Sequence, residues 1–295
     1  MMKEQEQRKN TSNKQEHNYV LPLRYLCLFV FLIFNLHFSI FNIRFSIFNP
    51  LRAQCSTENT AFLPGEELNY DLFFNWKFIW VSAGTATMNI KETKWEGKTA
   101  YKTYLITRTS DRLDHFFMMR DTMHSIITPD MQPLYFKKGA NEGGRYYVDE
   151  VWYAYPDGKT HLRQRYQGRD GKVSERTYDG SDCIYDMMSM LLRARSFRIE
   201  DIRKGQKLHF PMADGRKVEN ITLIYRGRDT FRMKSTGKDY RCLVFSFVEY
   251  PEGKEKEIIT FYISDDDNHI PVRLDLYLRF GTAKAYLRTS KGLRH

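Results

Sequence analysis

None of the four cysteines (Cys27, Cys55, Cys183, Cys242) forms a Cys-x-x-Cys pair, which excludes zinc ribbons and thioredoxin-type redox sites. The sequence has no Gly-x-Ser-x-Gly elbow, no His-Glu-x-x-His and no glycine loop ending in Lys-Ser/Thr. The hydrolases, metalloproteases and nucleotide enzymes built on those motifs are excluded with them. His115, His124, His161 and His209 stand singly, without a second ligand at metal spacing, so no metal and no cofactor is expected. There is no arginine-rich run. The formal charge of +10 is spread among acids, and no nucleic-acid partner is expected. Of 46 basic and 36 acidic side chains, residues 1–54 hold seven and three, so the remainder carries about +6. A mildly basic body of this kind suits a solvated surface, an acidic glycan or an anionic lipid headgroup. No Pro/Gly/Ser linker interrupts residues 60–290, and parallel βαβ units are excluded because the helices they need are missing.

What is present points to export and to sheet. Tyr25–Ile40 is strongly apolar and uncharged, and it follows a basic leader ending at Arg24. That is the order of an export signal. The run then stutters, Phe38–Arg44 being followed by the similar Phe45–Leu51. Two outcomes stand open: cleavage near Ala53, or retention as an N-terminal membrane anchor. Gln54 is not the small residue that lipid attachment at Cys55 requires. The reading is therefore a leader over residues 1–54 and a single β-rich exported domain over 55–295. Its expected location is the periplasm or cell envelope, with membrane contact through the leader if it is uncleaved. Three cysteines remain after export; they read as small buried hydrophobes, with Cys183–Cys242 a possible pair.

Aromatics make up 15% of the chain, which favours sheet. From Glu66 the apolar period is two. Leu68, Tyr70, Leu72, Phe74 and Trp76 share one face, as do Val272, Leu274, Leu276, Leu278 and Phe280, with Arg273, Asp275 and Arg279 opposite. Alternation of this kind marks antiparallel strands with one packed and one wet face. Turn signals at Glu96-Gly97, Pro156-Asp157-Gly158, Asp170-Gly171, Asp214-Gly215, Thr236-Gly237 and Glu252-Gly253 separate the strands. Gly-Thr-Ala occurs twice inside strand pattern, at Gly84 and at Gly281. After Gly281 the apolar phase slips by one residue, as at a bulge or tight turn. Small residues there let a sheet curl, so the fold expected is mainly β, a curled antiparallel sheet forming a barrel or half-barrel.

One helix is expected over Cys183–Phe197, capped by Ser181 or Asp182, with Ile184, Met187, Met188 and Leu191 at helical spacing. Asp186, Ser189 and Arg193 fall within about 60° of each other on its other side. They form either an exposed polar stripe or one facing a cleft. Ser110–Asp121 suggests a further helical turn. The acid-rich Ser264–His269 reads as a turn rather than a metal site, although Asp265 and Asp266 enter as candidate ligand-binding residues.

The chain resembles the domain of unknown function 3108 family of exported bacterial proteins. The resemblance rests on "LNYDLFFNWKFIWVSAGTATM", on the helix "DMMSMLLRAR" with Asp186, Ser189 and Arg193, on "YISDDDNHIPVRLDL" and on "FGTAKAYL". It covers roughly residues 62–290. Asp267 and His269 depart from the pattern, as does Lys137–Arg145, which reads as an elongated mobile loop. The resemblance implies an all-β, barrel-like fold decorated by helix and a periplasmic or surface location. It brings no reaction and no catalytic residues. The leading expectation is a non-catalytic protein whose aromatic- and Met-lined sheet holds a lipid, a lipid-linked glycan or another apolar ligand. An envelope assembly factor and a glycan-binding or glycan-active protein are the alternatives. Adjacent strand residues point to opposite faces, which makes Asp265 and Asp266 a poor catalytic pair.

Overall fold

The computed structural model describes residues 55–76, 79–233, 236–278 and 281–295. The expected leader, read as a signal or anchor over residues 1–54, lies outside them. Fourteen strands follow in chain order: β1 (Glu67–Trp76), β2 (Ile79–Trp95), β3 (Lys98–Thr109), β4 (Met119–Ile127), β5 (Pro133–Glu142), β6 (Arg145–Ala154), β7 (Thr160–Gln167), β8 (Val173–Gly180), β9 (Lys207–Ala213), β10 (Val218–Arg232), β11 (Asp239–Glu249), β12 (Lys256–Ser264), β13 (Pro271–Leu278) and β14 (Gly281–Lys291). Helix α1 (Asp111–Phe117) joins β3 to β4, and α2 (Met187–Arg195) lies between β8 and β9. All the strands belong to one sheet, ordered β8-β7-β6-β5-β4-β3-β2-β1-β14-β13-β12-β11-β10-β9. Every neighbouring pair is antiparallel. The expected curled antiparallel sheet is present. It is barrel-like but not closed, and β8 and β9 are its two ends.

The sheet wraps around α2. Met188 and Leu192 pack with Leu68, Ile90, Ile127, Val151, Leu162 and Val272, drawn from six strands. On another side of the helix, Met190 packs with Tyr185, Leu223 and Phe247. Phe62, from the segment preceding β1, is fully buried in the same core. The concave face is thus filled by the chain's own helix and N-terminal segment. At one end of this plug, Arg195 and Glu66, each 1% exposed, form a bidentate pair at 2.5 and 2.8 Å. Arg195 also donates to the Asn268 carbonyl from Nε (3.2 Å) and Nη2 (2.9 Å).

Gly84 sits where the β1–β2 register slips, Leu72 pairing with Gly84 and Phe73 with Ser82. Its φ is +153°, and a Cβ there would lie 2.0 Å from the Arg108 carbonyl oxygen. Both the bulge and the close approach to β3 require glycine. Gly281 (φ +151°) opens β14 opposite Leu278, and a Cβ would lie 2.5 Å from the Asn75 oxygen.

Several expectations need correction. The helix is shorter than Cys183–Phe197, and its N-cap is Asp186 rather than Ser181 or Asp182. Residues before Asp186 are held extended by Tyr185, whose backbone bonds Pro211 and Ala213 of β9. Lys137–Arg145 is not a loop. It is the end of β5, a two-glycine turn at positive φ (Gly143 61°, Gly144 75°) and the start of β6, the geometry of a tight hairpin. Strand β8 has too little apolar alternation to be read in advance; β9 does alternate, with Leu208, Phe210 and Met212 in step, and adds a strand to those expected. Asp275, expected on a wet face, is 4% exposed and clasped by Arg273 and Lys284. The cysteine pairing also differs: Cys55 bonds Cys183. Cys242 is free and buried, and burial pushes its thiol up to about 12.

Candidate functional site

The structure separates the three helix residues taken as one stripe. Asp186 and Ser189 are fully buried and form a reciprocal cap. One Asp186 oxygen accepts from the Met188 and Ser189 amides (2.9 Å each). The other accepts from Ser189 Oγ (2.8 Å) and from Ser125 Oγ of β4 (3.0 Å). Burial raises this carboxyl to about 6 against the pull of its donors. Its acceptor capacity is spent on seating α2 against the sheet. Arg193 points elsewhere. It donates to Thr57 Oγ1 and its guanidinium lies 5.1 Å from the Tyr185 ring.

Asp265 and Asp266 are likewise occupied. Asp265 accepts from Arg241 (2.9 Å) and Arg228 (3.2 Å). Asp266 accepts from Ser264 Oγ (2.7 Å) and from the Asn268 and His269 amides (3.1 Å each), the bonding of an Asx turn. His269 in turn contacts the Arg195 carbonyl at 2.5 Å, tying this turn to the end of α2. Among the described residues there is no group of three or more His, Cys, Asp or Glu arranged to hold a metal.

A different constellation lies where the sheet fails to close. Tyr166, Ser174 and Arg176 of β7 and β8 face the β9–β10 turn, Asp214 to Lys217, with Glu219 beyond it, across a cleft of about 470 Å³. Cross-strand pairing puts Asp149 beside Tyr166, and Gln164 beside Arg176, on the same face. Gly215 lets the turn descend onto β6, since a Cβ there would lie 2.9 Å from Asp149 Cβ and from the Glu150 nitrogen. Arg216 then stacks over Tyr166 at 4.8 Å and brings Nε to 3.2 Å from Asp149 Oδ1. Arg176, Arg216 and Lys217 are exposed at the mouth. Buried behind this lining, and not part of it, are further polar groups. Gln164, 2% exposed, has no hydrogen-bond partner for Oε1 among the described residues, whereas Asp149 is held by Arg216. Burial lifts Asp149 to about 6, opposed by Arg216 and reinforced by Asp214. Further in, Asp121 is lifted to about 6 by burial, Lys138 opposing. Chemically, the cleft offers cations to an anion at its mouth, with Lys217 also paired to Glu219 at 2.5 Å, an aromatic wall at Tyr166, and the Asp214 and Glu219 carboxylates as acceptors for ligand hydroxyl donors.

Apart from Asp214 and Gly215, read as a turn, none of these residues was singled out in the sequence. The usable signal was a charge on the apolar phase of a strand: Asp149 lies in step with Tyr147, Val151 and Tyr153, and Asp121 with Met123, Ser125 and Ile127. Asp214-Gly215 was legible as a turn, but nothing local showed that this turn meets β6, β7 and β8.

The sequence matches the family described as "Protein of unknown function (DUF3108)" over residues 69–288. No curated protein matches. Among solved structures the chain is similar to the crystal structure of a beta-barrel-like protein of domain of unknown function DUF1849 from Brucella abortus. The two are 12% identical, the likeness covers 80% of this chain and 100% of that one, and the TM-score is 0.47.

Proposed function

The chain belongs to the DUF3108 family, and from that premise we propose that it is an exported cell-envelope protein that binds, without catalysing, an anionic and hydroxyl-rich head group. A free acidic glycan or the saccharide head of a lipid-linked glycan has this chemistry. The observation that carries the reading is the open seam, where Arg176, Arg216 and Lys217 line one cleft with the Tyr166 ring, the Ser174 hydroxyl and the acceptor carboxylates of Asp214 and Glu219. Export is supported by the Cys55–Cys183 bond, since such bonds persist in oxidising compartments. A sulfur held in that bond is not free to carry a lipid at Cys55. An apolar ligand inside the sheet is a weaker reading, because α2 and Phe62 already occupy that space and would have to leave.

Calorimetric titration with tetragalacturonic acid, against a neutral dextran oligomer of equal length, tests the binding. The acidic sugar should bind at low salt and the neutral one far more weakly. Arg176→Ala with Arg216→Ala should weaken the acidic sugar by about tenfold or more. Equal affinity for both sugars, or an unaffected double variant, refutes the reading. For export, Cys55 and Cys183 should resist maleimide in intact cells until a reductant is added; prompt labelling of both removes that half of the proposal.

A further inference from the structure

The β1–β2 and β13–β14 hairpins carry an apolar surface that the cleft does not use. Ile79 is 68% exposed, Trp80 43%, Tyr277 38% and Leu278 44%. In sheet order β1 and β14 lie between β2 and β13. The register runs Trp80 to Asn75, Asn75 to Thr282 and Thr282 to Tyr277, so Trp80 and Tyr277 lie in one cross-strand row on one face. Ile79 and Leu278 are their immediate chain neighbours and therefore point to the opposite face. Large apolar side chains are thus exposed on both faces of the same four-stranded blade, at the turn ends of its two hairpins.

We propose that this blade inserts Ile79, Trp80, Tyr277 and Leu278 into the surface of a lipid bilayer. The two-faced exposure selects the occupant. A protein partner buries one face, whereas acyl chains and headgroups surround both. The exposed apolar area is roughly 400 Å², in the range of a single surface patch and about half of what one side of a standard protein interface buries. Tryptophan and tyrosine beside aliphatic residues are the side chains that settle at the water–lipid boundary. Lys284, paired with Asp275 at 3.4 Å, stands with Nζ 4.9 Å from the Trp80 ring centroid and helps to fix the ring on its face. This inference is independent of the cleft and its ligand.

The tryptophans provide the test. There are four, Trp76, Trp80, Trp95 and Trp152, and residues 1–54 contain none. A leader that anchors the full chain therefore contributes no tryptophan signal. The full chain is mixed with phosphatidylethanolamine–phosphatidylglycerol vesicles whose acyl chains carry bromine. Tryptophan emission should be quenched and blue-shifted. Trp80→Phe should remove a large share of the quenching. Ile79→Ser with Leu278→Ser, which keeps all four tryptophans, should raise the lipid concentration for half-quenching by about tenfold or more, with an unchanged near-ultraviolet circular dichroism spectrum. Wild-type emission indifferent to brominated lipid overturns the proposal, whatever the variants do. So does a double serine variant quenched like the wild type. Concentration-dependent self-association that the same serines abolish, without lipid quenching, assigns the blade to a second copy and overturns it equally.

Discussion

Replacing Arg195 with methionine tests what holds the plug inside the sheet. Arg195 and Glu66 are both 1% exposed, joined by two short contacts, and Arg195 also satisfies the Asn268 carbonyl. Methionine keeps most of the volume but leaves the Glu66 carboxylate with no cation in a site that water does not reach. Stranding one member of a buried pair costs about 3–5 kcal/mol. With a urea slope of about 3 kcal/mol per M for a domain of this size, the unfolding midpoint falls by about 1–1.7 M. The measurement is equilibrium urea denaturation at neutral pH, with the Cys55–Cys183 bond intact. Removing both charges, Glu66→Leu with Arg195→Met, strands neither charge and should lose less than Arg195→Met alone, because most of the single-variant cost is desolvation of the orphan. A midpoint shift below about 0.5 M for Arg195→Met, under 1.5 kcal/mol at that slope, would mean that Glu66 finds water or another partner. The closed, dry end of the plug would then be wrong.

Two other perturbations follow from the geometry. Asp121 has its folded carboxyl raised from 3.8 to about 6 by burial. The folded state thus holds this proton more tightly than the unfolded chain, and the stability it contributes is full below about pH 4 and lost as pH rises through about 6. Asp121→Asn should therefore be more stable than wild type at pH 7.5, with the difference shrinking to nothing near pH 4 in paired thermal melts; a constant difference across that window refutes the assignment. Gly84→Ala places its Cβ against backbone atoms of Arg108 and Thr109 and should cost above about 2 kcal/mol. Gly97→Ala, at φ +79° with open space around it, should cost only about 1 kcal/mol by denaturation; equal losses would mean that the bulge tolerates a side chain.

Much of the fold was legible because strand pairing here is almost wholly between sequence neighbours. Ala86, Met88 and Ile90 alternate inward along β2, and the glycine turns separate successive strands. In that topology, local period and turn chemistry nearly determine the neighbour order. Reading broke down where a side chain's surroundings are set by pairing and packing rather than by period. Asp275 looked solvated by its alternation, but Arg273 of its own strand and Lys284, its cross-strand partner, cover it. Asp186 and Ser189 looked like an outward stripe, yet the helix carrying them is enclosed on several sides. Cys183 is bonded to a cysteine 128 residues earlier, which spacing did not disclose.

The amino-acid sequence alone settled that this is a curled antiparallel sheet with glycines where it bends, because both properties follow from neighbouring residues: alternation sets the buried face and a missing Cβ permits the bulge. Only the tertiary structure decided that the sheet stays open, that its hollow is filled by α2, and that Asp149, Tyr166 and Arg216 meet at the seam. Those facts depend on how far fourteen strands coil before the ends approach, a sum of small twists over the whole domain that no single stretch of residues encodes.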